Sequence, residues 1–480
     1  MKYFHKIETR ENENEVIALQ NASAGLQVVV GCAPVNLSEE PEKTVNVPIV
    51  CTSFEEAKKK LGYSDDFKNY TLCEVMDLSF RKFGVTPVVF INVLDPAKHK
   101  KSMEAASGQV VNNQFIVKNT GILLSSVVVT GTSGALSKTT DYIAEFNEDG
   151  HLVLTFLTSQ TDISVAADVI NPEAVTEDDV IGGYNSGDGT ETGLEVIRQV
   201  YPKTGYVIGQ LVCPRWSASK NVAAVMAAKI DDINGLFNAN AIIDISAETY
   251  KKYTDLKTAK TEIGINDRDC VLLWPKIKIR NTVYDYSAVW AAAVAYADSV
   301  NGDVPYKSPS NRAIGASAAV LEDGTEVYLD NTQAALINSY GIVTALNDQG
   351  WRTWGNENAA YPEDTAPKNR YIASRRMMNW YRNRFILAYK EKVSDPTNLR
   401  LVETFIDSEN QYLNGLVASQ YIPSGSHIEY HPEKNPIEQI LDGEIVFDTE
   451  IAFWPPAKHI VNEIRFNPQL IEAALAGGNE

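Results

Sequence analysis

The sequence has no long apolar run and few cysteines. None of its apolar runs reaches the roughly 18 residues that a transmembrane helix needs. The N-terminal residues, MKYFHKIETRENENE, contain no apolar core of signal-peptide length, so we expect neither a membrane span nor a signal peptide. The five cysteines stand far apart in apolar surroundings without a C-x-x-C motif, which predicts reduced core residues of a protein made in a cytoplasm.

Positive charge is also scarce. The chain has 43 Lys and Arg against 62 Asp and Glu, which gives a net charge of −19. Residues 139–197 hold thirteen of the acids and no Lys or Arg. Because nucleic acids and anionic lipids would repel such a polyanion, we predict that neither nucleic acid nor a membrane is its partner.

Sequence motifs typical of catalysis are also scarce. Asp95 and Asp244 each follow a predicted strand, which is where α/β enzymes hold catalytic groups. No His and no Gly-x-Ser-x-Gly motif accompanies them, so hydrogen bonding within a loop is the favoured interpretation. We predict a protein that is not an enzyme and leave one alternative open, a cytosolic α/β hydrolase or transferase with a site near Asp95 or Asp244.

Two segments resemble ligand sites only in part. The stretch HIEYH at 427–431 could place His427, Glu429 and His431 on one strand face, but a fourth ligand is missing and Pro432 ends the strand. The glycine-rich loop at 182–189 lacks the Lys of a phosphate loop and the terminal Glu of a calcium loop. We therefore predict no metal and no cofactor.

Apolar patterns predict a multi-domain α/β protein. β-Branched runs separated by helices indicate a parallel sheet covered on both faces, in a discontinuous α/β core domain at 23–101 and 183–350. Short alternating segments replace helical periodicity at 102–182, which predicts an inserted β-rich domain. Two helices and two alternating segments then predict an α+β C-terminal domain at 351–480.

Two alternating segments have no evident partner in the chain. One lies at residues 3–8, at the start of a polar N-terminal segment that runs to residue 22. The other covers 444–466, where prolines at 455, 456 and 468 delimit two stretches. Unpaired alternating segments of this kind suit strands that complete a sheet elsewhere.

The most informative stretch is INSYGIVTALNDQGWRTWGNEN at 337–358. It resembles the strand-turn-(Trp-Gly-Asn) signature of tail sheath proteins from contractile phage tails and phage-tail-like bacteriocins. Other segments resemble sheath segments in the family's order, and together they cover most of 25–470. They are VNVPIVCTSFEEAKKKLGY (45–63), IGGYNSGDGTETGLEVIRQV (181–200), LVCPRWSASKNVAAVMAAKID (211–231), AAVAYADSVNGDVPYKSPSNRAIGASAA (292–319) and residues 374–420, which open with Ser-Arg-Arg.

The resemblance implies a structural subunit that stacks in helical rings around an inner tail tube and contracts to drive that tube through a cell envelope. Its partners would be further copies of itself, the tail tube protein, and baseplate and tail terminator proteins. It would belong to a virion or bacteriocin particle, assembled in the host cytoplasm and released by lysis. An N-terminal and a C-terminal strand-exchange arm, the latter at 444–466, would each add a strand to a neighbouring subunit. The candidate arm residues are Tyr3, Phe4, Ile7, Ile445, Phe447, Ile451, Phe453, Ile460 and Ile464.

A basic run stands out against the acidic background. Residues 368–392 hold eight Lys and Arg against one Glu. Arg375 and Arg382 are seven residues apart, so we expect them on one helix face away from the buried side chains, and together with Arg376 and Arg384 we predict that they face the tube. A solvated face remains an alternative, as does docking to the acidic residues at 433–450 of another copy. Arg376 or Arg384 could instead form ion pairs within the C-terminal domain.

Overall fold

A computed structural model describes residues 23–476 of the chain, and an eight-stranded sheet lies at its centre. The six inner strands are parallel to their neighbours, and one antiparallel strand closes each edge. The predicted parallel sheet is thus confirmed. In spatial order the strands are Pro48–Cys51, Val88–Asn92, Gln27–Gly31, Gln210–Val212, Asn240–Asp244, Cys270–Leu273, Ile342–Asn347 and Trp351–Trp354.

The inner strands are buried on both faces, as expected for apolar β-branched runs in a parallel sheet. Val29 pairs with Phe90 on one side and with Val212 on the other, so the first strand is central although it comes early in the chain. Helix Tyr286–Ser299 is buried over most of its length, and the Tyr286 hydroxyl donates to the Thr344 carbonyl at 2.8 Å. This helix therefore packs directly on the sheet.

Helices cover the remaining sheet surface and extend toward the C-terminus. The helices of eight residues or more are Phe54–Leu61, Lys220–Lys229, Leu256–Ile263, Tyr286–Ser299, Asn331–Asn338, Ile372–Tyr389, Leu399–Ala418 and Gln469–Ala476. Shorter ones are Thr71–Met76, Glu177–Ile181, Val200–Thr204, Pro367–Arg370 and Ile437–Leu441. In the described part of the chain, none of the helices is both long and apolar enough to cross a membrane.

A β-rich segment with its own hydrophobic core lies between the strands Val88–Asn92 and Gln210–Val212. Its strands pair antiparallel, and alternate residues such as Leu152, Leu154 and Phe156 point into the shared core. The strands are Lys100–Ser102, Ala106–Gln109, Gln114–Val117, Val128–Gly131, Gly134–Leu136, Tyr142–Phe146, Leu152–Phe156, Asp162–Ala166 and Asp168–Ile170. The domain boundaries given above remain predictions.

The acidic stretch at 139–197 has more counter-ions than its sequence suggested. Lys100 lies 2.8 Å from Asp168, Lys98 pairs with Asp179, and Arg198 pairs with Glu191. Arg198 directly follows the stretch, but Lys98 and Lys100 are 81 and 68 residues from their partners, so the sequence neighbourhood alone could not reveal these two. Among the other acids that it contributes to the β-rich segment, Glu145, Glu148 and Asp162 are exposed.

Smaller sheets complete the fold. Lys276–Ile279 pairs antiparallel with Thr282–Tyr284 and with Ala318–Val320. Gly183–Tyr184 pairs with Glu191–Thr192. In the C-terminal region, His427–Glu429 pairs antiparallel with Asp448–Glu450. This last two-stranded sheet, which we call the C-terminal sheet, bears on the predicted arm.

Candidate functional site

The stretch that carried the sequence resemblance forms a compact hairpin. The helix, strand and turn expected there are confirmed as Asn331–Asn338, Ile342–Asn347 and the turn leading into Trp351–Trp354. The Asn338 amide donates to the carbonyls of Ile342 and Trp354, at 2.9 Å each, and so joins the helix to both strands. Gly355 has φ +149°, and a Cβ there would lie 2.8 Å from the Asn338 amide nitrogen, so this tight approach requires glycine.

The second strand of this hairpin is not a free edge. Thr353 accepts from the Asn311 amide at 2.7 Å and donates to the Arg312 carbonyl at 2.9 Å. The Trp351 indole donates to the Ser317 carbonyl at 3.1 Å. The hairpin therefore closes the edge of the large sheet and offers no unpaired strand to a neighbour.

Asp244, one of the two acids placed where an α/β enzyme could hold a catalytic group, is buried. The Asp244 carboxylate accepts from the Ser287 amide at 2.8 Å and from the Ser217 hydroxyl at 3.3 Å, and the Ser287 hydroxyl donates to it as well. Burial, reinforced by the negative charge of Asp285, raises the pKa of Asp244 to about 7. Asp244 is buried, and its contacts with Ser287 join the strand Asn240–Asp244 to the helix Tyr286–Ser299.

Asp95 is used within its own loop. Its carboxylate accepts from the Ala97 amide at 2.8 Å, and its backbone amide donates to His99 Nδ1 at 3.0 Å. This is the loop hydrogen bonding that the sequence favoured. His99 thus accompanies Asp95, contrary to the sequence expectation that no His does so, but its side chain is buried.

Three of the four arginines predicted to face a tube are committed to ion pairs inside the molecule, so that prediction is wrong for them. All lie on the helix Ile372–Tyr389, which we call the arginine helix. Arg375 forms two hydrogen bonds to Asp269, at 2.9 and 2.8 Å, and is buried. The expectation that it shares an exposed face with Arg382 fails because Asp269, at the start of an inner strand, covers it.

Arg376 and Arg384 are paired on other sides of the arginine helix. Arg376 contacts Asp298 with two nitrogens, one at 3.1 Å, and also donates to the Ala24 carbonyl at 3.2 Å. Arg384 forms two hydrogen bonds to Glu409 of the helix Leu399–Ala418, and its guanidinium lies 3.7 Å from the centroid of the Tyr412 ring. The charges of these three arginines are thus paired with acids from three other parts of the fold.

Arg382 alone of the four is exposed. It lies on the same helix, seven residues after Arg375. A tube contact by Arg382 stays a prediction.

Part of the predicted C-terminal arm already has a partner in its own chain. Asp448–Glu450 forms the only regular strand that the structure describes within 444–466, and it pairs with His427–Glu429. Phe447 stacks on Phe405 with ring centroids 5.0 Å apart. Ile445, Ile451 and Phe453 are likewise half-buried, so the expectation that 444–454 is unpaired is wrong: local aromatic packing and strand pairing hold this part on the body.

The HIEYH segment lies in the same C-terminal sheet. His427 Nε2 lies 2.9 Å and His431 Nε2 3.3 Å from the two oxygens of Glu429. The backbone carbonyl of Gly425 and the charges of Glu429 and Glu450 raise the pKa of His427. These side chains pair with one another, and no group of three metal-ligating residues suited to an ion was found among residues 23–476.

Beyond Trp454 the chain leaves the body as an exposed tail, residues 455–476. Two contacts hold its beginning: the Trp454 indole donates to the Gln420 carbonyl at 3.2 Å, and Lys458 Nζ lies 2.6 Å from the buried Glu357 carboxylate. The tail there lines a cavity of about 660 Å³, together with Trp354 and Arg312. From residue 459 to residue 475 every side chain is exposed.

The remaining predicted arm residues fall into two groups: exposed residues of the tail, and residues outside the part of the chain that the structure describes. Ile460 and Ile464 are 83% and 85% exposed and belong to no strand of this chain. Tyr3, Phe4 and Ile7 lie outside the described residues. The helix Gln469–Ala476 was missed, although two residues before it were signals that the sequence offered: Pro468, and Asn467, whose Oδ1 accepts from the Gln469 amide at 3.1 Å.

Comparison with known proteins shows which ones this chain resembles. No family model matches the chain. Among curated proteins it is 22% identical over 503 aligned residues to the tail sheath protein of Burkholderia phage BcepMu, covering 99% of each chain. It is 23% identical over 378 residues to the tail sheath protein of Escherichia phage P2, covering 77% of this chain and 89% of that protein.

Solved structures share the fold. A chain of the anti-feeding prophage baseplate superposes with a TM-score of 0.58 at 13% identity, covering 97% of this chain and 100% of that one. A chain of the sheath complex of the extracellular contractile injection system PVC in its contracted state gives a TM-score of 0.56 at 13% identity and covers 98% and 99%. The sheath tail protein of Desulfitobacterium hafniense gives 0.54 at 11% identity and covers 94% and 100%. The resemblance to tail sheath proteins read from the sequence is therefore confirmed: curated tail sheath proteins match most or all of the chain, and chains of contractile sheath assemblies share its fold.

Proposed function

We propose that this chain is the structural subunit of a contractile tail sheath, which polymerises helically around an inner tube and contracts to drive that tube through a target cell envelope. The observation that carries the proposal is the match to a tail sheath protein over 99% of both chains, together with the sheath fold. The relatives are structural proteins, and the enclosed Asp244 agrees with a role that needs no catalytic cleft.

The body of the subunit suits rigid movement within such a lattice. The ion pairs of Arg375, Arg376 and Arg384 join the arginine helix to the large sheet, to the helix Tyr286–Ser299 and to the helix Leu399–Ala418. Separating the two partners of a buried ion pair leaves each charge without its counter-charge, which costs free energy. These elements therefore resist separation. Rearrangement during contraction would then occur between subunits and in their connecting segments.

The connecting segments are the two arms. For the C-terminal arm we propose the exposed tail, with Ile460, Ile464 and Phe466 on one face of a strand that is added to a neighbour's C-terminal sheet. Main-chain pairing of this kind depends little on side chains and can persist while the bodies rotate. The N-terminal arm, with Tyr3, Phe4 and Ile7, is proposed to do the same.

We further propose how the subunit is oriented in the particle. Arg382 faces the tube, where exposed charge pairs worth about 0.2–1 kcal/mol each give a contact that can exchange and that adds up along the array. The β-rich segment at 102–182 faces outward, since its exposed acids would be costly to bury and discourage contact between tails.

Baseplate and terminator proteins cap the two ends of the sheath, and the particle is a virion or a bacteriocin assembled in a host cytoplasm and released by lysis.

Electron microscopy of the purified full-length protein tests the central part of this proposal. We expect hollow tubes or stacked rings, formed by the chain alone or on co-expressed tube protein. Uniform small particles under every condition, including with tube protein present, would refute it and favour the α/β enzyme alternative.

A further inference from the structure

The terminal helix, Gln469–Ala476, presents an apolar face that nothing in residues 23–476 covers. Leu470, Ile471 and Leu475 are 67%, 54% and 81% exposed, while Gln469 and Glu472 lie on the opposite side by helical periodicity. An eight-residue helix has too few hydrogen bonds to offset the cost of nucleation in water. Its apolar face must therefore be buried against a partner for the helix to persist.

A second uncovered apolar surface lies on the short helix Ile437–Leu441, which we call the rim helix. Ile437 and Leu441 are one turn apart, so they form a ridge on one face, and they are 61% and 79% exposed. The rim helix belongs to the connection between the two strands of the C-terminal sheet. Asn435, just before it, is fixed by two hydrogen bonds with the backbone of Val446, at 2.9 and 2.7 Å.

The chain geometry links these two surfaces in a polymer. Lys458 makes the last described side-chain contact of the tail with the body, and the ten residues from there to the terminal helix can span up to about 33 Å. If residues 460–466 add a strand to a neighbour's C-terminal sheet, only two residues separate that strand from the terminal helix. The helix is then delivered to the end of the same sheet, where the rim helix lies.

We propose that the terminal helix docks on the rim helix of a second copy of this chain, so that each C-terminal arm has two points of attachment, a strand and a helix. The inference rests on the proposed strand exchange and adds a partner surface to it. The apolar face of the terminal helix, formed by Leu470, Ile471 and Leu475, packs on Ile437 and Leu441 of the other copy. Glu472, on the opposite side, points away from the acidic residues in and next to the rim helix, such as Glu438 and Asp442.

Disulfide cross-linking between two variants tests this contact. Leu441→Cys and Leu475→Cys chains are mixed before assembly and oxidised mildly; the five native cysteines are buried and give little background. We expect disulfide-linked dimers in the polymer. Tyr328→Cys, an equally accessible site on another surface, replaces Leu441→Cys in the control mixture and should give none. Absence of dimers from the first mixture, or equal yields from both, overturns the proposal.

Substitutions separate this inference from the strand exchange beneath it. Leu470→Glu combined with Leu475→Glu should raise the critical concentration for polymerisation at least roughly tenfold, because two buried aliphatic side chains are lost. Glu472→Lys on the opposite side should leave it within about twofold. If deletion of 455–480 abolishes tubes while the double substitution has no effect, helix docking is wrong and the arm stands. If that deletion also has no effect, both are wrong.

Discussion

The ion pair between Arg376 and Asp298 gives the sharpest test of how the subunit body is held together. The two residues are 1% and 3% exposed, and the Arg376 guanidinium also holds the Ala24 carbonyl at the start of the described chain. Replacing Arg376 by Met leaves the Asp298 carboxylate buried without its counter-charge. We expect the free energy of unfolding to fall by about 3–5 kcal/mol at pH 7.

Two companion variants show whether this loss comes from the unpaired charge. Arg376→Met with Asp298→Leu removes both charges, so most of the lost stability should return, because buried pairs can be replaced by apolar side chains with little net cost. Arg382→Met, exposed on the same helix, should change the free energy of unfolding by less than about 0.5 kcal/mol. Urea denaturation of unassembled protein, followed by tryptophan fluorescence, measures all three.

The pH dependence of the Arg376→Met variant has a predicted sign. Burial raises the pKa of Asp298, and the Arg376 charge opposes that rise. Without Arg376 the folded pKa rises further above that of the unfolded chain, about 4, so the folded variant is destabilised progressively as the pH rises above about 4. The variant should therefore lie closest to wild type in acid. A loss below about 1 kcal/mol, or one independent of pH, would refute the account of this pair.

Three further predictions concern other parts of the chain. Asp244→Asn should raise the free energy of unfolding relative to wild type, by an amount that grows from about pH 4 to above pH 7. The reason is that folded wild type keeps the Asp244 proton up to about pH 7, so wild type loses stability as the pH rises through that window. Urea denaturation at several pH values that shows no growing difference between the two proteins contradicts this prediction. Arg382→Glu should leave sheath-only polymers intact but weaken assembly on tubes, as high salt does to wild type; unchanged co-sedimentation with tubes at every salt concentration would exclude a tube contact. Replacing 102–182 by a short Gly-Ser linker should spare polymerisation, and loss of all tubes from a folded monomer would argue against an outward position.

Local patterns in the sequence predicted the large sheet well. Inner strands such as Gln27–Gly31, Val88–Asn92 and Asn240–Asp244 are rich in β-branched residues and end near a turn or helix signal, so strand, helix and parallel pairing could be read from neighbouring residues. The hairpin around Trp351 was also readable, because its turn residues and its strands adjoin in sequence. The resemblance to sheath proteins then supplied the function that these patterns alone do not carry.

Long-range contacts account for what the sequence could not predict. Arg375 was expected to face the tube from an exposed side of its helix, yet Asp269, which covers it, is 106 residues away. The segment around Phe447 was expected to be unpaired, but Phe405 and the strand His427–Glu429 bind it within the same chain. Helical and strand periodicity describe one element at a time, so they cannot show which distant side chain will bury an exposed-looking face.

The most direct measurement compares the full-length chain with a chain truncated after Trp454, by electron microscopy at matched concentrations. The cut spares the strand Asp448–Glu450 and the Trp454 contact with Gln420, so the body should stay folded. The account predicts hollow tubes from the full-length chain and dispersed, folded subunits from the truncated one. Normal tubes from the truncated chain would contradict assembly through the C-terminal arm, and small particles from both would contradict the sheath assignment itself.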